Sequence, residues 1–146
     1  MNIIYTVCDS NYIGLTEGLV RSLSCDDAIE KIVIGSLGLS ENERLRLTDL
    51  DVRVEFLNLV EPEESAELHD DGWTARISRK TEGLKALLDE GHRVAMIDSD
   101  CVVLQPFFTQ LNHIRDIGVC RRTKPGLRQD QRLDYIASIF VGEGEI

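Results

Sequence analysis

Arg93-Val94-Ala95-Met96-Ile97-Asp98-Ser99-Asp100 decides how this chain is read. A nearly all-apolar run ends abruptly on two aspartates. Such a run, with no polar alternation, suits a central parallel strand covered on both faces. In open α/β sheets ligands bind beyond the carboxyl ends of the strands, which is where Asp98 and Asp100 stand. In extended chain alternate side chains point the same way, about 6.5–7 Å apart, so the two carboxylates share a side and Ser99 points elsewhere. Carboxylates that close repel each other unless a cation lies between or beside them. Mn²⁺ and Mg²⁺, hard ions that take oxygen ligands, suit such a pair, with waters and substrate phosphates filling the shell. The plainer alternative is a pair of carboxylates that cap a turn. The chain carries a second Asp-x-Asp, Asp49-Leu50-Asp51, between a helix end and a strand, and that one reads as a structural turn. Only position separates the two.

Working outward, the remaining elements alternate in type. Ile3 to Val7 is a short run of β-formers, interrupted by Asp9, Ser10 and Asn11. A helical pattern follows, with Ile13, Leu19, Val20 and Leu23 roughly on one face. Lys31 to Gly35 is a second strand. Ser40 to Leu50 is a helix opened by the capping box Ser40-x-x-Glu43, which satisfies two otherwise orphan amides. Val52 to Leu59 is a third strand and Glu61 to Gly72 an acidic surface loop. Thr74 to Glu90 is a long helix with Ile77, Leu84, Leu87 and Leu88 as its apolar stripe, and Gly91 stands where a terminating glycine belongs. After Asp100, Cys101 to Leu104 is apolar again until Pro106. Ile114 to Cys120 and Tyr135 to Val141 are further strand candidates, with Arg121 to Arg132 a polar loop between them. The alternation predicts one α/β domain over residues 1–146, with a Rossmann-like, mostly parallel sheet flanked by helices.

The bulk composition narrows the partners. The 146 residues suit a single domain, and 42% hydrophobic with 29% charged residues is ordinary for a globular protein. A net charge of −10 does not steer a chain toward a phosphate backbone, so no nucleic-acid partner is expected. A phosphorylated small molecule remains compatible where a metal, a helix N-terminus or a placed cation remedies the charge locally. Cys8, Cys25, Cys101 and Cys120 form no CxxC pair and read as reduced, buried thiols. There is no basic opening segment and no run of about 18 apolar residues. The expectation is a cytoplasmic protein with no membrane span. No Gly-x-Ser-x-Gly elbow, Walker loop or Gly-x-Gly-x-x-Gly occurs, which removes serine hydrolase, kinase and dinucleotide oxidoreductase readings.

Val94 to Leu104 resembles the strand, Asp-x-Asp and following strand of GT-A glycosyltransferases. The nearest likeness is to family 8, the group of glycogenin and the lipopolysaccharide galactosyltransferases. "IIYTVCDSNYIGLTEGLVRSL", Ile3 to Leu23, is similar to that group's opening, and "ISRKTEGLKALL", Ile77 to Leu88, resembles a segment that sets a basic residue near the nucleotide sugar. The likeness covers roughly Met1 to Val119. It implies a GT-A-type fold and transfer of a sugar from a nucleotide-diphosphate sugar, a UDP-sugar first, to an unidentified acceptor. It further implies that Asp98 and Asp100 hold Mn²⁺ or Mg²⁺, with Ser99 between them in the donor site. Cys8 and Asp9 then line the nucleoside pocket. Tyr12 either stacks on the base or packs at the helix start. Lys80, or else Arg79, contacts the sugar nucleotide, and Ser138 lies near the sugar.

The chain also departs from that pattern. Family members are much longer, and their second half carries a metal-binding histidine in His-x-x-Gly-x-x-Lys-Pro, to which nothing here corresponds. The expectation is therefore the N-terminal nucleotide-binding half, truncated at the C-terminus, with an exposed sheet edge that a homodimer would cover. Two rivals stand beside the transferase. One is a nucleotide-sugar-binding domain without turnover. The other is a haloacid-dehalogenase-like phosphatase with Asp98 as nucleophile and Asp100 as general acid, although that motif belongs on a first strand.

Overall fold

The computed structural model describes residues 1–59, 71–115, 117–119 and 139–143. Its strands are β1 (Asn2–Asp9), β2 (Lys31–Leu37), β3 (Val54–Asn58), β4 (Arg93–Ile97), β5 (Ile117–Val119) and β6 (Ile139–Glu143). Its helices are α1 (Ile13–Leu23), α2 (Glu41–Thr48) and α3 (Asp71–Asp89). One sheet runs in the order β3-β2-β1-β4-β6-β5. The first four strands are parallel, while β6 lies antiparallel between β4 and β5. This is the α/β, mostly parallel, helix-flanked sheet the alternation predicts.

The pleat sorts the core into two layers. Ile4 and Cys8 of β1, Ile32 and Ile34 of β2, and Ala95 and Ile97 of β4 join Leu19, Val20 and Leu23 of α1 and Leu47 of α2. Ile3 and Tyr5 of β1, with Val33 and Val94, meet Leu84 and Leu87 of α3 on the opposite face. The central strands are buried on both faces, which is why their sequences read as continuous apolar runs. Leu84, Leu87 and Leu88 of the predicted stripe do line that contact. Tyr5 sets its closest approach: a Cβ added to Gly83 would lie 2.1 Å from the Tyr5 hydroxyl oxygen. Only a glycine lets α3 lie this close.

Several expected boundaries move. α3 starts at Asp71 instead of Thr74, and β3 is Val54–Asn58, leaving Val52 exposed. β5 is Ile117–Val119, and of the strand expected over Tyr135 to Val141 the described part is paired and runs on to Glu143, residues 135–138 lying outside the described residues. Of the loop expected over Glu61 to Gly72, Asp71 and Gly72 belong to α3 and residues 61–70 lie outside the described residues, as does the loop expected over 121–132. The larger correction concerns Cys101 to Leu104, which forms no strand. Side chains of other elements take its backbone groups instead. The Val103 amide donates to Ser22 Oγ (2.9 Å), and the amides of Phe107 and Phe108 donate to Asp26 Oδ2 (2.7 and 2.8 Å). The segment is thereby tied across the end of α1, with Cys101 and Val103 turned inward and Val102 and Leu104 exposed. The thiols are corrected as well: Cys8 is buried, but Cys101 is half-buried and Cys25 exposed, while Cys120 lies outside the described residues.

Candidate functional site

The strand order places the site. β1 is followed on one side by β2 and β3, and on the other by β4, so the chain changes direction across the sheet between β1 and β4. Such a switch point is where open α/β sheets hold ligands. The register makes the crevice concrete. β1 stays paired with β2 as far as Asp9↔Leu37, but its pairing with β4 stops at Tyr5↔Met96. Beyond that level the two strands part, with Cys8-Asp9 at the end of one and Asp98-Ser99-Asp100 at the end of the other.

Asp98 to Cys101 is a tight turn, closed by the Cys101 amide donating to the Asp98 carbonyl (3.1 Å). This corrects the extended geometry expected of Asp98 and Asp100: the spacing of a pleated strand does not apply there, because the strand ends at Ile97. Asp98 and Ser99 are half-buried and Asp100 is exposed. Helix α3 leads back to the start of β4, so it runs against the strands and its earlier turns lie over their carboxyl ends. That brings Lys80 to the turn, where its Nζ donates to Asp98 Oδ1 at 3.0 Å. Arg79, its neighbour and competitor for the same role, is turned aside onto Glu82, with a nitrogen–oxygen distance of 2.7 Å. The structure thus separates two residues that the sequence left nearly equivalent.

At the other wall Asp9 Oδ1 accepts from the amides of Asn11 (2.9 Å) and Tyr12 (3.2 Å), capping a single 3₁₀ turn that leads into α1. One oxygen of Asp9 is therefore used by the fold, and Oδ2 is the oxygen left to face a ligand. Cys8 is different. Its side chain is buried in the core under α1, accepting from Thr16 Oγ1 (3.1 Å), and burial pushes its thiol above the ordinary range. The side chain of Cys8, a residue expected to line the nucleoside pocket, thus packs in the core. Tyr12 is 45% exposed at the start of α1. Ser138 lies outside the described residues.

Two side chains of α2 make contacts near the strand ends that sequence reasoning missed. Glu43 completes the expected capping box with Ser40. It also takes a hydrogen bond from Ser10, and these bonds, the Ser40 hydroxyl first, hold its carboxyl below its usual range. Arg44 ties the ends of β2 and β3 to α2 through Ser36 Oγ (3.0 Å) and Asn58 Oδ1 (2.6 Å), over the ring of Phe56. The bonds from Ser10 to Glu43 and from Arg44 to Asn58 join different elements, and no local pattern signals them. Asp51, by contrast, does what its position implied: it accepts from the Arg53 amide and guanidinium, a structural turn.

Among the described residues no group of three or more His, Cys, Asp or Glu side chains is arranged to hold a metal ion. What the turn offers is two carboxylates. Among the described residues no helix is long and apolar enough to cross a membrane.

No family model matches the chain, and no curated protein matches it in sequence. Solved structures do match in shape. The galactosyltransferase LgtC, crystallised with donor and acceptor sugar analogues, superposes with a TM-score of 0.63 at 16% identity, over 98% of this chain and 58% of its own. The glycosyltransferase GlyE of Streptococcus pneumoniae TIGR4 gives 0.61 at 15% identity, over 97% of this chain and 33% of its own. A 4-diphosphocytidyl-2C-methyl-D-erythritol synthase of Anaerococcus prevotii gives 0.57 at 14% identity, over 97% and 70%. The chain therefore has the fold of these transferases and spans just over half the length of LgtC. Because that fold also serves a diphosphocytidyl synthase, it does not by itself choose the reaction.

Proposed function

We propose that this chain carries the nucleotide-sugar site of a metal-dependent glycosyltransferase, with a UDP-sugar as donor. The observation that carries the reading is Asp98, half-buried at the end of β4, paired with Lys80, and set across the switch-point crevice from Asp9. Two carboxylates from one turn suit Mn²⁺ or Mg²⁺, ions that are held by one or two protein carboxylates and complete their shell with waters and substrate phosphates. A cation so held supplies positive charge against a departing diphosphate. In the same reading the Lys80 ammonium donates to a diphosphate oxygen. Asp9 Oδ2 accepts from the base, the exposed ring of Tyr12 stacks on it, and Ser99 borders the sugar. Catalysis then rests on orientation and charge, and no nucleophile is assigned. An acidic chain needs such a local arrangement of cations to hold a diphosphate at all.

The transfer itself, the sugar and the acceptor belong to the proposal, since the chain spans only 58% of LgtC. That same fact favours one second reading, donor binding without turnover. The phosphatase reading gains nothing, because Asp98 follows the fourth strand and its expected place is the first. UDP titrated by calorimetry, with Mn²⁺ and then with EDTA, tests the proposal. The expected result is Mn²⁺-dependent binding that Asp98→Ala/Asp100→Ala abolishes. UDP binding to neither protein, with both folded by circular dichroism, refutes it. Release of sugar from UDP-sugars separates transferase from silent binder.

A further inference from the structure

Lys80 donates to Asp98, so its ammonium occupies the carboxylate that the proposed function gives to a metal. The pair is open to exchange. Its Nζ–Oδ1 distance is 3.0 Å, and the side chains keep 36% and 26% of their exposure. An ion pair this accessible to water is weakly held. Lysine is also a point charge on a flexible four-carbon stem, free to swing to another anion nearby. Asp100 is exposed two residues further along the turn. A divalent cation can therefore land at Asp100, but sharing Asp98 places it a few ångströms from an ammonium of like sign.

Resting on the reading above, we infer that Lys80 is a resident counter-ion of Asp98, displaced when a divalent cation binds and transferred to the diphosphate of the incoming nucleotide. Metal alone has to dislodge the ammonium without offering it a new partner. Metal with a nucleoside diphosphate supplies that partner, so each ligand tightens the other, by the same factor in both directions. Lys80 then has two opposed effects: it weakens metal binding in the free protein and strengthens nucleotide binding in the metal-loaded one. A residue that only supported the fold would move both affinities the same way.

The test is calorimetry with Mn²⁺ alone, and with UDP at saturating Mn²⁺, on the wild type, Lys80→Met and Lys80→Arg. In Lys80→Met the Mn²⁺ Kd is expected to fall about two- to fivefold, the range of a part-exposed pair. The UDP Kd is expected to rise about tenfold with the lost charge-assisted hydrogen bond. Lys80→Arg keeps the charge and should not show the gain in Mn²⁺ affinity. The wild type offers a second reading that needs no variant: UDP must tighten Mn²⁺ binding. If Mn²⁺ binds the wild type through Asp98 and Asp100 but binds Lys80→Met no more tightly, the counter-ion inference is overturned and the donor site stands. If neither protein binds Mn²⁺, with or without UDP, both fall.

Discussion

Asp26 is the residue whose removal the structure prices most directly. It is 2% exposed, and its carboxylate accepts three main-chain amides, from Ala28 at 3.1 Å, Phe107 at 2.7 Å and Phe108 at 2.8 Å. Two of these tie the segment that follows the Asp98 turn onto the end of α1. In Asp26→Ala no acceptor remains for any of them, and an orphaned buried amide costs about 1–3 kcal/mol. Phe107 is only half-buried, so water recovers part of the loss. Asp26→Ala is therefore expected to lower unfolding free energy by about 3–5 kcal/mol, a large share of the ~5–15 kcal/mol that holds a domain together. Asn retains one acceptor oxygen, so Asp26→Asn should cost about half as much. Urea denaturation followed by circular dichroism measures both. The pH dependence adds a signature. Burial works against the charged form, but the amides of Phe108, Phe107 and Ala28, with the charge of Arg53, outweigh it and hold the Asp26 carboxyl below its usual range. A depressed folded value means that this stabilisation is fully present above the unfolded value, about 3.9, and is lost as pH falls below it. The gap between wild type and Asp26→Ala should accordingly shrink in that acid window. A gap under about 1 kcal/mol at neutral pH would refute the argument, because it would mean that the three amides find other partners at no cost.

The core beneath α3 supplies two more tests. Gly83→Ala drives a methyl against the Tyr5 hydroxyl, and overpacking of this kind costs about 1–3 kcal/mol in spite of alanine's better helix propensity. A thermal melt that rises instead would show that α3 shifts freely. The Tyr5 hydroxyl is buried with no hydrogen-bond partner, and burial, helped by the charge of Glu82, pushes its ionisation well above the ordinary value. A raised folded value is lost stability as pH climbs past the unfolded value of about 10. Tyr5→Phe should therefore be neutral or stabilising near pH 7, and should flatten the decline in stability above pH about 10, read by denaturation at several alkaline pH values.

Much of the architecture was legible along the chain. The apolar runs at Ile3–Val7, Lys31–Gly35 and Arg93–Ile97, the capping box at Ser40 and Glu43, and Gly91 after the long helix are local signals, and local physics alone places those elements. Alternation of strands and helices made the sheet parallel. Position after a buried strand also singled out Asp98 over Asp51, and the structure gives Asp51 to Arg53. Tertiary structure decided the rest. Cys101 to Leu104 has the composition of a strand, yet Ser22 takes the Val103 amide and Asp26 the amides of Phe107 and Phe108 just beyond it. Cys8 and Asp9 are adjacent in sequence, but the pleat turns Cys8 into the core, and Asp9 spends one oxygen on a turn. Arg79 has a local partner in Glu82, three residues on along the same helix, whereas the partner of Lys80 lies 18 residues away. The packing of α3 on the sheet is what brings Lys80 to Asp98 on another element. Periodicity fixes what an element is and which face it buries. Which side chain meets which across elements depends on packing distances that no stretch of sequence contains.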